Sequence, residues 1–470
     1  MSAADLSVLD TRPGAAEPRP YDFPDFTRTT LPNGLQVIAC HLPGRPLLAA
    51  QLVIRGDAGG GATGEPAELG GVTVLTARAM TEGTAHRDAV DLIEASERLG
   101  AEIGADAGWD SVAVSLEVSR SRLLPALGLL AEVALEPSFP AEEVDRLRDE
   151  RLNDLLQAKA DPRRRVERVY PETIFAADAP YRRPLGGTDL TVPAIDREAV
   201  VGRHAALMRP DAATLIVGGD LDGVDVTGEA IAAFGGWSAP SGARPQPGPA
   251  SRAIGRRRIV VVDRPGSPQT ELRVGHLGLA RSTPDFHALS VTNAIVGGLF
   301  NSRLNQLLRE AKGYTYGISS SFDLRRNPGP FTVRCAVQTE VTVPAILDIL
   351  GELARVREAE VEPAELKIAR DYLVGVFPLR FETAAQVVSA ITGMVVNGLP
   401  DDELDKYRPA IAAVTPAQIL AAARAHIRPD EASIVMVGDA ARFEDALRDA
   451  GLGEVEVVRE TAPSGEEDAG

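Results

Sequence analysis

An internal repeat constrains the fold of this chain more than any other feature. Residues 194–220, AIDREAVVGRHAALMRPDAATLIVGGD, align without a gap to residues 413–439, AVTPAQILAAARAHIRPDEASIVMVGD, at a constant offset of 219. In each copy an N-capping residue, Asp196 or Thr415, opens a predicted helix, and Arg-Pro-Asp leads into an apolar strand that ends in Gly-Asp. A match of this length across half a chain indicates duplication. We therefore predict two copies of one domain.

Shifts in composition place the domain boundaries. Residues 1–24 are polar, contain several prolines and are predicted to form a flexible arm before an N-terminal domain over 25–237. A segment rich in Pro, Gly and Ala over 238–251 is the predicted linker to a C-terminal domain over 252–445, and 446–470 is a predicted acidic tail. Strand-like runs alternate with helix pairs, which predicts an α/β (α+β) fold. Each domain is expected to be a mixed, largely antiparallel sheet with helices packed on it.

The N-terminal domain opens with a turn signal and a glycine-rich segment. The turn TLPNG ends at Gly34 and leads into strand-like runs at 35–40 and 47–54, so we predict an opening hairpin. The segment 56–71 contains seven glycines, but no Gly-Lys-[Ser/Thr] follows and the spacing is not G-x-G-x-x-G. We predict a mobile connection there rather than a nucleotide-binding loop.

Charge and cysteine content limit the classes of function that the chain can have. The chain carries 49 Lys and Arg against 67 Asp and Glu, a net charge of -18 that argues against nucleic-acid partners and anionic membranes. A solvated acidic surface or a preference for basic peptides would each explain this charge. Cys40 and Cys335 are far apart, so a disulfide framework is not expected. No segment has the features of a signal peptide or a membrane span, and we predict a cytoplasmic protein.

Residues 70–84, GGVTVLTARAMTEGT, predict a helix with one face toward the core and a second face on which three side chains could converge. Val74, Ala77 and Arg78 fall at i, i+3 and i+4, so their side chains share that face. The frame, including Gly71 and the closing Gly-Thr pair, resembles the active-site helix of the pitrilysin-type (M16, inverzincin) metallopeptidases, which carries His-x-x-Glu-His at these positions. Val and Ala offer no zinc donor and Arg carries a permanent positive charge. The motif is degenerate, and we predict no metal in this chain.

The resemblance also places the family's third zinc ligand, a Glu on a later helix. That position falls at or next to Leu155, with Asp154 beside it, and one carboxylate without two imidazoles is not a zinc site. Arg78 is therefore either a solvated helix residue or fills the vacated pocket beside an acidic neighbour. The six histidines show no ligand-like spacing and are predicted to be surface or core residues; they are His41, His86, His204, His276, His287 and His426.

The second half carries a further matching run. Residues 300–317, FNSRLNQLLREAKGYTYG, resemble the family's S-R-L-x-x-x-[LI]-R-x-x-x-G-x-x-Y segment, whose Arg and Tyr fall on Arg309 and Tyr316. The resemblance spans about Thr27 to Asp439. It implies that Arg309 binds peptide carbonyls and that Tyr316 donates to an oxyanion, both acting in trans. Local sequence alone also allows Arg309 to complement a helix end and Tyr316 to pack on a sheet edge.

The resemblance implies a LuxS/metallohydrolase-like fold and a bowl-shaped, non-metal-binding subunit of a heterodimeric zinc metalloendopeptidase. Its partner would carry His-x-x-Glu-His and the zinc, the substrate would be a peptide, and a chamber with an acidic lining would favour basic peptides. No autonomous peptidase activity is expected, although an unrecognised site, which zinc analysis would expose, is a weaker third hypothesis. The alternative is a catalytically inert scaffold or peptide-binding protein that kept the fold, in which Arg309→Ala and Tyr316→Phe would change nothing.

Overall fold

The first half of the chain forms a six-stranded sheet. The computed structural model describes residues 19–56, 59–239, 246 and 248–459. The strands of this sheet are β1 (Phe26–Thr30), β2 (Gln36–His41), β3 (Leu47–Arg55), β4 (Glu102–Ala107), β5 (Ser111–Ser119) and β6 (Ala213–Gly219). Their order is β1-β2-β6-β3-β5-β4. Strands β2 and β6 run parallel, and the other neighbours are antiparallel.

The second half forms another six-stranded sheet. Its strands are β7 (Ile259–Asp263), β8 (Gln269–Leu277), β9 (Ile318–Phe322), β10 (Pro330–Gln338), β11 (Ser433–Gly438) and β12 (Val455–Arg459). Their order is β12-β7-β11-β8-β10-β9. Strand β7 runs parallel to β11 and β12, and the remaining pairs are antiparallel.

The helices divide between the two sheets. In the first half they are α1 (Val72–Ala79), α2 (Ala89–Leu99), α3 (Leu123–Leu135), α4 (Ala141–Ala160), α5 (Pro162–Ile174), α6 (Arg197–Leu207) and α7 (Val226–Phe234). In the second half they are α8 (Phe286–Asn293), α9 (Thr342–Arg355), α10 (Pro363–Val376), α11 (Ala384–Asn397), α12 (Glu403–Ala413), α13 (Pro416–His426) and α14 (Glu444–Asp449). In the described part of the chain, no helix combines the length and the apolar character needed to cross a bilayer.

The sequence repeat corresponds to a structural repeat. Its two copies form α6 with β6 and α13 with β11, and the capping predictions hold: Asp196 accepts from the N–H of Ala199 at 2.8 Å, and Thr415 from that of Gln418 at 3.3 Å. Five successive strands follow the same order in both sheets, β2-β6-β3-β5-β4 and β7-β11-β8-β10-β9, while the sixth comes from the start of the chain in one sheet and from the end in the other. The prediction of two similar α/β domains with mixed, largely antiparallel sheets is confirmed.

Each sheet has one face covered by a helix from the other half of the chain. Helix α11 lies on β3 and β6, where Val388 joins a core that includes Ile216. Conversely, α5 lies on β8 and β11, where Val166 packs in a core with Val435. The opposite faces are covered largely by helices of their own half. The two halves are therefore interlocked by exchanged helices.

The opening hairpin was predicted between the wrong strands. Strand β6 lies between β2 and β3, so the runs at 35–40 and 47–54 do not pair. The TLPNG turn instead joins β1 to β2. Strand β6 takes the central place because all of its residues are buried, whereas β1 is exposed over most of its length and lies at the edge.

The ends of the chain are ordered further than predicted. Residues 1–18 of the predicted arm lie outside the described residues, but the rings of Tyr21 and Phe23 pack against Phe381 with centroids 6.2 and 5.1 Å apart. Strand β12 lies inside the predicted tail, whose residues 460–470 are also outside the described residues. It was missed because its apolar residues are few and flanked by charges. Residues 240–245 and 247 of the predicted linker are likewise not described, and the other domain boundaries stay predictions.

Candidate functional site

Helix α1 carries the degenerate metal-motif positions and begins after a glycine that its geometry requires. Gly71 has a φ of 99°, and a Cβ there would lie 2.8 Å from the carbonyl group of Gly186. The buried carboxylate of Glu65 accepts hydrogen bonds from the N–H groups of Gly71 and Thr73 at 2.9 and 3.0 Å. Burial raises the pKa of Glu65, and these bonds oppose that rise. The helix N-terminus is thereby satisfied and fixed in position.

A buried arginine holds the glycine-rich segment that precedes α1. Arg203, on α6, donates to the carbonyl oxygens of Gly59, Gly61 and Gly64 at 3.0, 2.8 and 3.2 Å, and to the hydroxyl of Thr73 at 3.0 Å. The residue is 7% exposed, and burial lowers its pKa to about 10. Residues 57 and 58 lie outside the described residues. Over its described part, the predicted mobile connection is an anchored loop.

The three metal-motif positions share one face of α1 as predicted, and they do not fit a metal. Val74 is half-buried and packs against the core of the first domain, Ala77 is fully buried, and the Arg78 side chain is 43% exposed. None of them offers a nitrogen, oxygen or sulfur that zinc binds. Among the described residues, no group of three His, Cys, Asp or Glu side chains is arranged to hold a metal ion. The zinc implied by the family resemblance has no ligands on this helix.

An ion-pair network connects this face of α1 to α4. The Arg78 Nη2 atom lies 3.0 Å from Glu150 Oε2, which gives Arg78 the acidic neighbour that the sequence left open. Arg146 extends the network to Glu150, Glu143 and Glu82 at 2.6, 2.6 and 2.8 Å. Hydrogen bonds from Arg146 and Arg78 lower the pKa of Glu150. Each carboxylate of this network is paired with a guanidinium group, so these carboxylates are not available to bind a cation.

The residues at the position of the family's third zinc ligand also make other contacts. Leu155 is 4% exposed and belongs to the core of the first domain. Its neighbour Asp154 pairs with Arg151 and, at 2.6 Å, with Arg164. Arg151 in turn donates to the carbonyl oxygen of Gly186 at 2.8 Å, beside the start of α1. Burial lowers the pKa of Arg151 although Asp154 opposes this.

Arg309 lies on an unusual stretch of helix in the second domain. Two π-helical segments follow α8, Ala294–Gly298 and Asn305–Ala311, and the second carries Arg309 in its last turn. Such segments change the rotation of the helix and occur often at functional sites. The guanidinium carbon lies 4.4 Å from the ring centroid of Phe300, and Nε lies 3.5 Å from Glu310 Oε1. Arg309 therefore lies at a helix end, as local sequence allows, and its guanidinium group also stacks on the ring of Phe300.

Tyr316 lies in the turn between that π-helical segment and β9, and it is 92% exposed. The buried side chain of Asn305 donates to the carbonyl oxygen of Ile318 at 2.7 Å and thereby ties the end of the turn to the helix. Tyr314, two residues earlier, packs against the core of the second domain. The packing role that local sequence allowed for Tyr316 thus falls to Tyr314, and Tyr316 presents its ring to solvent.

A cavity of about 440 Å³ adjoins Arg309. It is lined by Arg163 at the start of α5, Arg273 on β8 and Arg334 on β10, together with Glu271. Arginines outnumber carboxylates along the wall of this cavity. Arg163 lines this cavity, and the next residue in the first turn of α5, Arg164, pairs with Asp154 on α4.

Sequence reasoning missed Arg163, Arg273, Arg334 and Glu150. The run of three arginines after Pro162 was visible in the sequence, but nothing in it indicates that α5 packs on the sheet of the other domain. Only that packing brings Arg163 to Arg273 and Arg334. Glu150 was inside the predicted helix, one turn before Asp154, and helical spacing was the signal that could have found it.

Two family models match consecutive parts of the chain. The model described as insulinase (peptidase family M16) matches residues 48–189, and the model described as peptidase M16 inactive domain matches residues 194–373. The chain belongs to peptidase family M16. The second model therefore describes an inactive domain for the part of this M16 chain that contains Arg309 and Tyr316.

Relatives of this M16 chain carry contrasting descriptions. An uncharacterized zinc protease of Mycobacterium leprae is 26% identical over 384 residues, which cover 82% of this chain and 85% of that protein. A protein of Helicobacter pylori described as a non-peptidase homolog is 23% identical over 350 residues, covering 73% and 78%. The crystal structure of a peptidase M16 inactive domain from Pseudomonas fluorescens superposes with a TM-score of 0.78 at 25% identity, covering 88% of this chain and 98% of that one. Relatives over most of the chain thus include proteins described as peptidases and as non-peptidases.

Proposed function

We propose that this M16 chain is the non-metal-binding subunit of a heterodimeric zinc metalloendopeptidase of the cytoplasm. Its partner carries the His-x-x-Glu-His motif, the zinc and the general base. This chain contributes Arg309 and Tyr316 to the binding and cleavage of peptides by the partner. It has no autonomous peptidase activity.

One contrast between the two candidate sites carries the proposal. The motif face of α1 offers no metal donor and is connected to α4 by ion pairs, whereas Tyr316 is 92% exposed and Arg309 borders an open cavity. Exposing an aromatic ring to this degree gains nothing for the stability of the isolated chain. A surface kept in this form is consistent with a role toward a second molecule. The descriptions of an inactive domain and of a non-peptidase relative support the same division.

The chemistry available to Arg309 and Tyr316 is hydrogen-bond donation. The phenol of Tyr316 can donate one O–H to the oxygen that becomes negative as a peptide carbonyl is attacked. The guanidinium of Arg309 has five N–H groups in a planar fork, and these can hold peptide carbonyl oxygens in register. Its contact with Phe300 limits the motion of the guanidinium group. Arg309 thus positions the peptide and Tyr316 stabilises the oxyanion, while the partner supplies the zinc and the general base.

The first experiment identifies the partner. The tagged chain is purified from its native cell extract, and proteins that co-elute in stoichiometric amount are identified by mass. We expect a protein of similar size that carries His-x-x-Glu-His, and one zinc per complex. Recovery of this chain alone, as a monomer or self-dimer, would contradict the heterodimer and favour an inert scaffold or peptide-binding protein.

The second experiment tests the two residues in the purified complex. Because one oxyanion donor contributes roughly 100-fold or more to kcat, Tyr316→Phe should lower kcat by about that factor. Arg309→Gln should raise KM and lower kcat/KM. The matched controls are Tyr372→Phe, a half-exposed tyrosine on α10, and Arg448→Gln on α14, and both should leave hydrolysis unchanged. Hydrolysis that is equally unaffected by all four substitutions would refute the co-catalytic role.

A further inference from the structure

The cavity beside Arg309 is built from both halves of the chain. Arg163 comes from the first turn of α5, Arg273 from β8 and Arg334 from β10, and Phe300 contributes an aromatic ring that is 70% exposed. The remaining charged wall residue is Glu271. Four arginines thus converge on one cavity of about 440 Å³ in a protein of net charge -18.

The four arginines differ in how far their donors are already used. Arg273 has a side chain 2% exposed, and it donates to Glu167 at 2.9 Å, to Glu271 at 3.2 Å and to the carbonyl oxygen of Leu272 at 2.7 Å. A guanidinium group engaged in this way holds the wall together and neutralises Glu271. It has little capacity left for a ligand.

The other arginines keep donors available. Arg334 is exposed and donates to the hydroxyl of Ser321 at 2.7 Å, and Arg309 has an ion-pair distance of 3.5 Å to Glu310. Arg163 is also exposed, and in the part of the chain that the structure describes no ion pair within 4.0 Å involves Arg163 or Arg334. A guanidinium has five N–H donors, so these three groups retain most of theirs.

The cavity also keeps a positive charge when its acidic neighbours are counted. The four guanidinium groups face Glu271 on the wall, and Glu167 and Glu310 contact wall arginines from outside. Four positive charges against three negative ones leave one positive charge. A planar guanidinium fork matches the two oxygens of a carboxylate, and such charge-assisted pairs are the strongest hydrogen bonds in proteins.

We infer that this cavity binds the carboxylates of peptides, so that acidic peptides are the substrate class of the site that contains Arg309. The inference rests on the proposed peptide-binding function and reverses the preference for basic peptides that the net charge alone would suggest. Arg163 and Arg334 bind the carboxylate, and Arg273 is the positioning residue that holds the wall. Arg309 and Phe300 line the side that faces the rest of the peptide.

The test measures peptide binding to the full-length chain by fluorescence anisotropy. One labelled decapeptide carries two glutamates and a matched peptide carries two glutamines, and each is made with a free and with an amidated C-terminus. Charge-assisted hydrogen bonds predict a roughly tenfold tighter binding of the glutamate peptide. Arg163→Gln or Arg334→Gln should each reduce this ratio to about threefold, since each removes one guanidinium group that donates to the peptide carboxylate. Both side chains are exposed, so folding is preserved in these variants.

The control and the opposing outcomes are distinct. Arg448→Gln on α14 removes a similarly exposed arginine outside the cavity and should leave the ratio at its original value. If affinity depends on the free C-terminus and not on the glutamates, the bound carboxylate is the terminal one, and the inference that acidic peptides are the substrate class is overturned. Equal affinities for the glutamate and glutamine peptides would overturn the inference and leave the proposed function intact. Displacement of the peptide by inorganic phosphate at equal concentration would overturn it in favour of a free anion. If no peptide binds, the inference fails, whereas the proposed function is decided by hydrolysis in the purified complex.

Discussion

Replacing Arg203 by methionine should destabilise the first domain because this arginine fastens the loop before α1. The side chain makes four hydrogen bonds, to three glycine carbonyls and to Thr73. Each is worth about 1 kcal/mol net, and the variant no longer bears the cost of burying a guanidinium, which offsets part of the loss. We expect Arg203→Met to lower the free energy of unfolding by about 3 kcal/mol, as measured by urea denaturation.

The control for this prediction is Arg98→Met on α2. Arg98 is 71% exposed and forms an i,i+4 ion pair with Glu94 at 2.9 Å, and such surface pairs contribute less than about 0.5 kcal/mol. Hydrogen exchange gives an independent measure, because amides of residues 59–73 should exchange faster in Arg203→Met and unchanged in Arg98→Met. A loss below about 1 kcal/mol, or unaltered exchange in that segment, would show that Arg203 does not anchor the loop.

Two further predictions concern pH and the degenerate motif. Burial lowers the pKa of His276 from its ordinary value of 6.5 to about 4, and the charge of Arg428 adds to this effect. At pH values between about 4 and 6.5 the imidazole is therefore protonated in the unfolded chain but not in the folded one. Stability should therefore fall as pH drops from about 7.5 to about 5, by about 2 kcal/mol more in the wild type than in His276→Gln, and parallel denaturation curves would refute this. Ala77→Glu, which restores the family's carboxylate, should lower the free energy of unfolding by about 3 kcal/mol more than Ala77→Gln because position 77 is fully buried. Equal stability of the two variants in thermal and urea unfolding would contradict that expectation.

The sequence alone predicted two similar domains because each copy of the repeat is one continuous segment of the chain. Helix caps depend on residues within a few positions of one another, as at Asp196 and Thr415. They can therefore be recognised from the sequence alone, and so can the apolar strands that follow. The edge strands β1 and β12 were harder, since an edge strand needs few apolar residues. The exchange of α5 and α11 between the halves depends on the complete fold and has no local signal.

The candidate site was predictable only where a motif frame existed. Val74, Ala77 and Arg78 share one helix face because helical spacing dictates it, and Arg309 could be placed by its frame. The cavity lining was out of reach because Arg163 and Arg334 are separated by more than 170 positions and meet through packing between domains. Net charge could not have indicated the arginines of this cavity, because it sums the charge of the whole chain and does not give the sign at one cavity.

The exchange of helices also affects the order in which the chain can complete its fold during synthesis. The first sheet is finished when β6 has emerged from the ribosome, but α11, which covers one of its faces, ends about 180 residues later. At typical rates of 5–20 residues per second this delay is roughly ten to thirty-five seconds. During that interval the apolar face around Ile216 has no covering helix and is exposed apolar surface of the kind that aggregates unless it is protected. The first domain can therefore complete its core only after α11 of the second half has been translated.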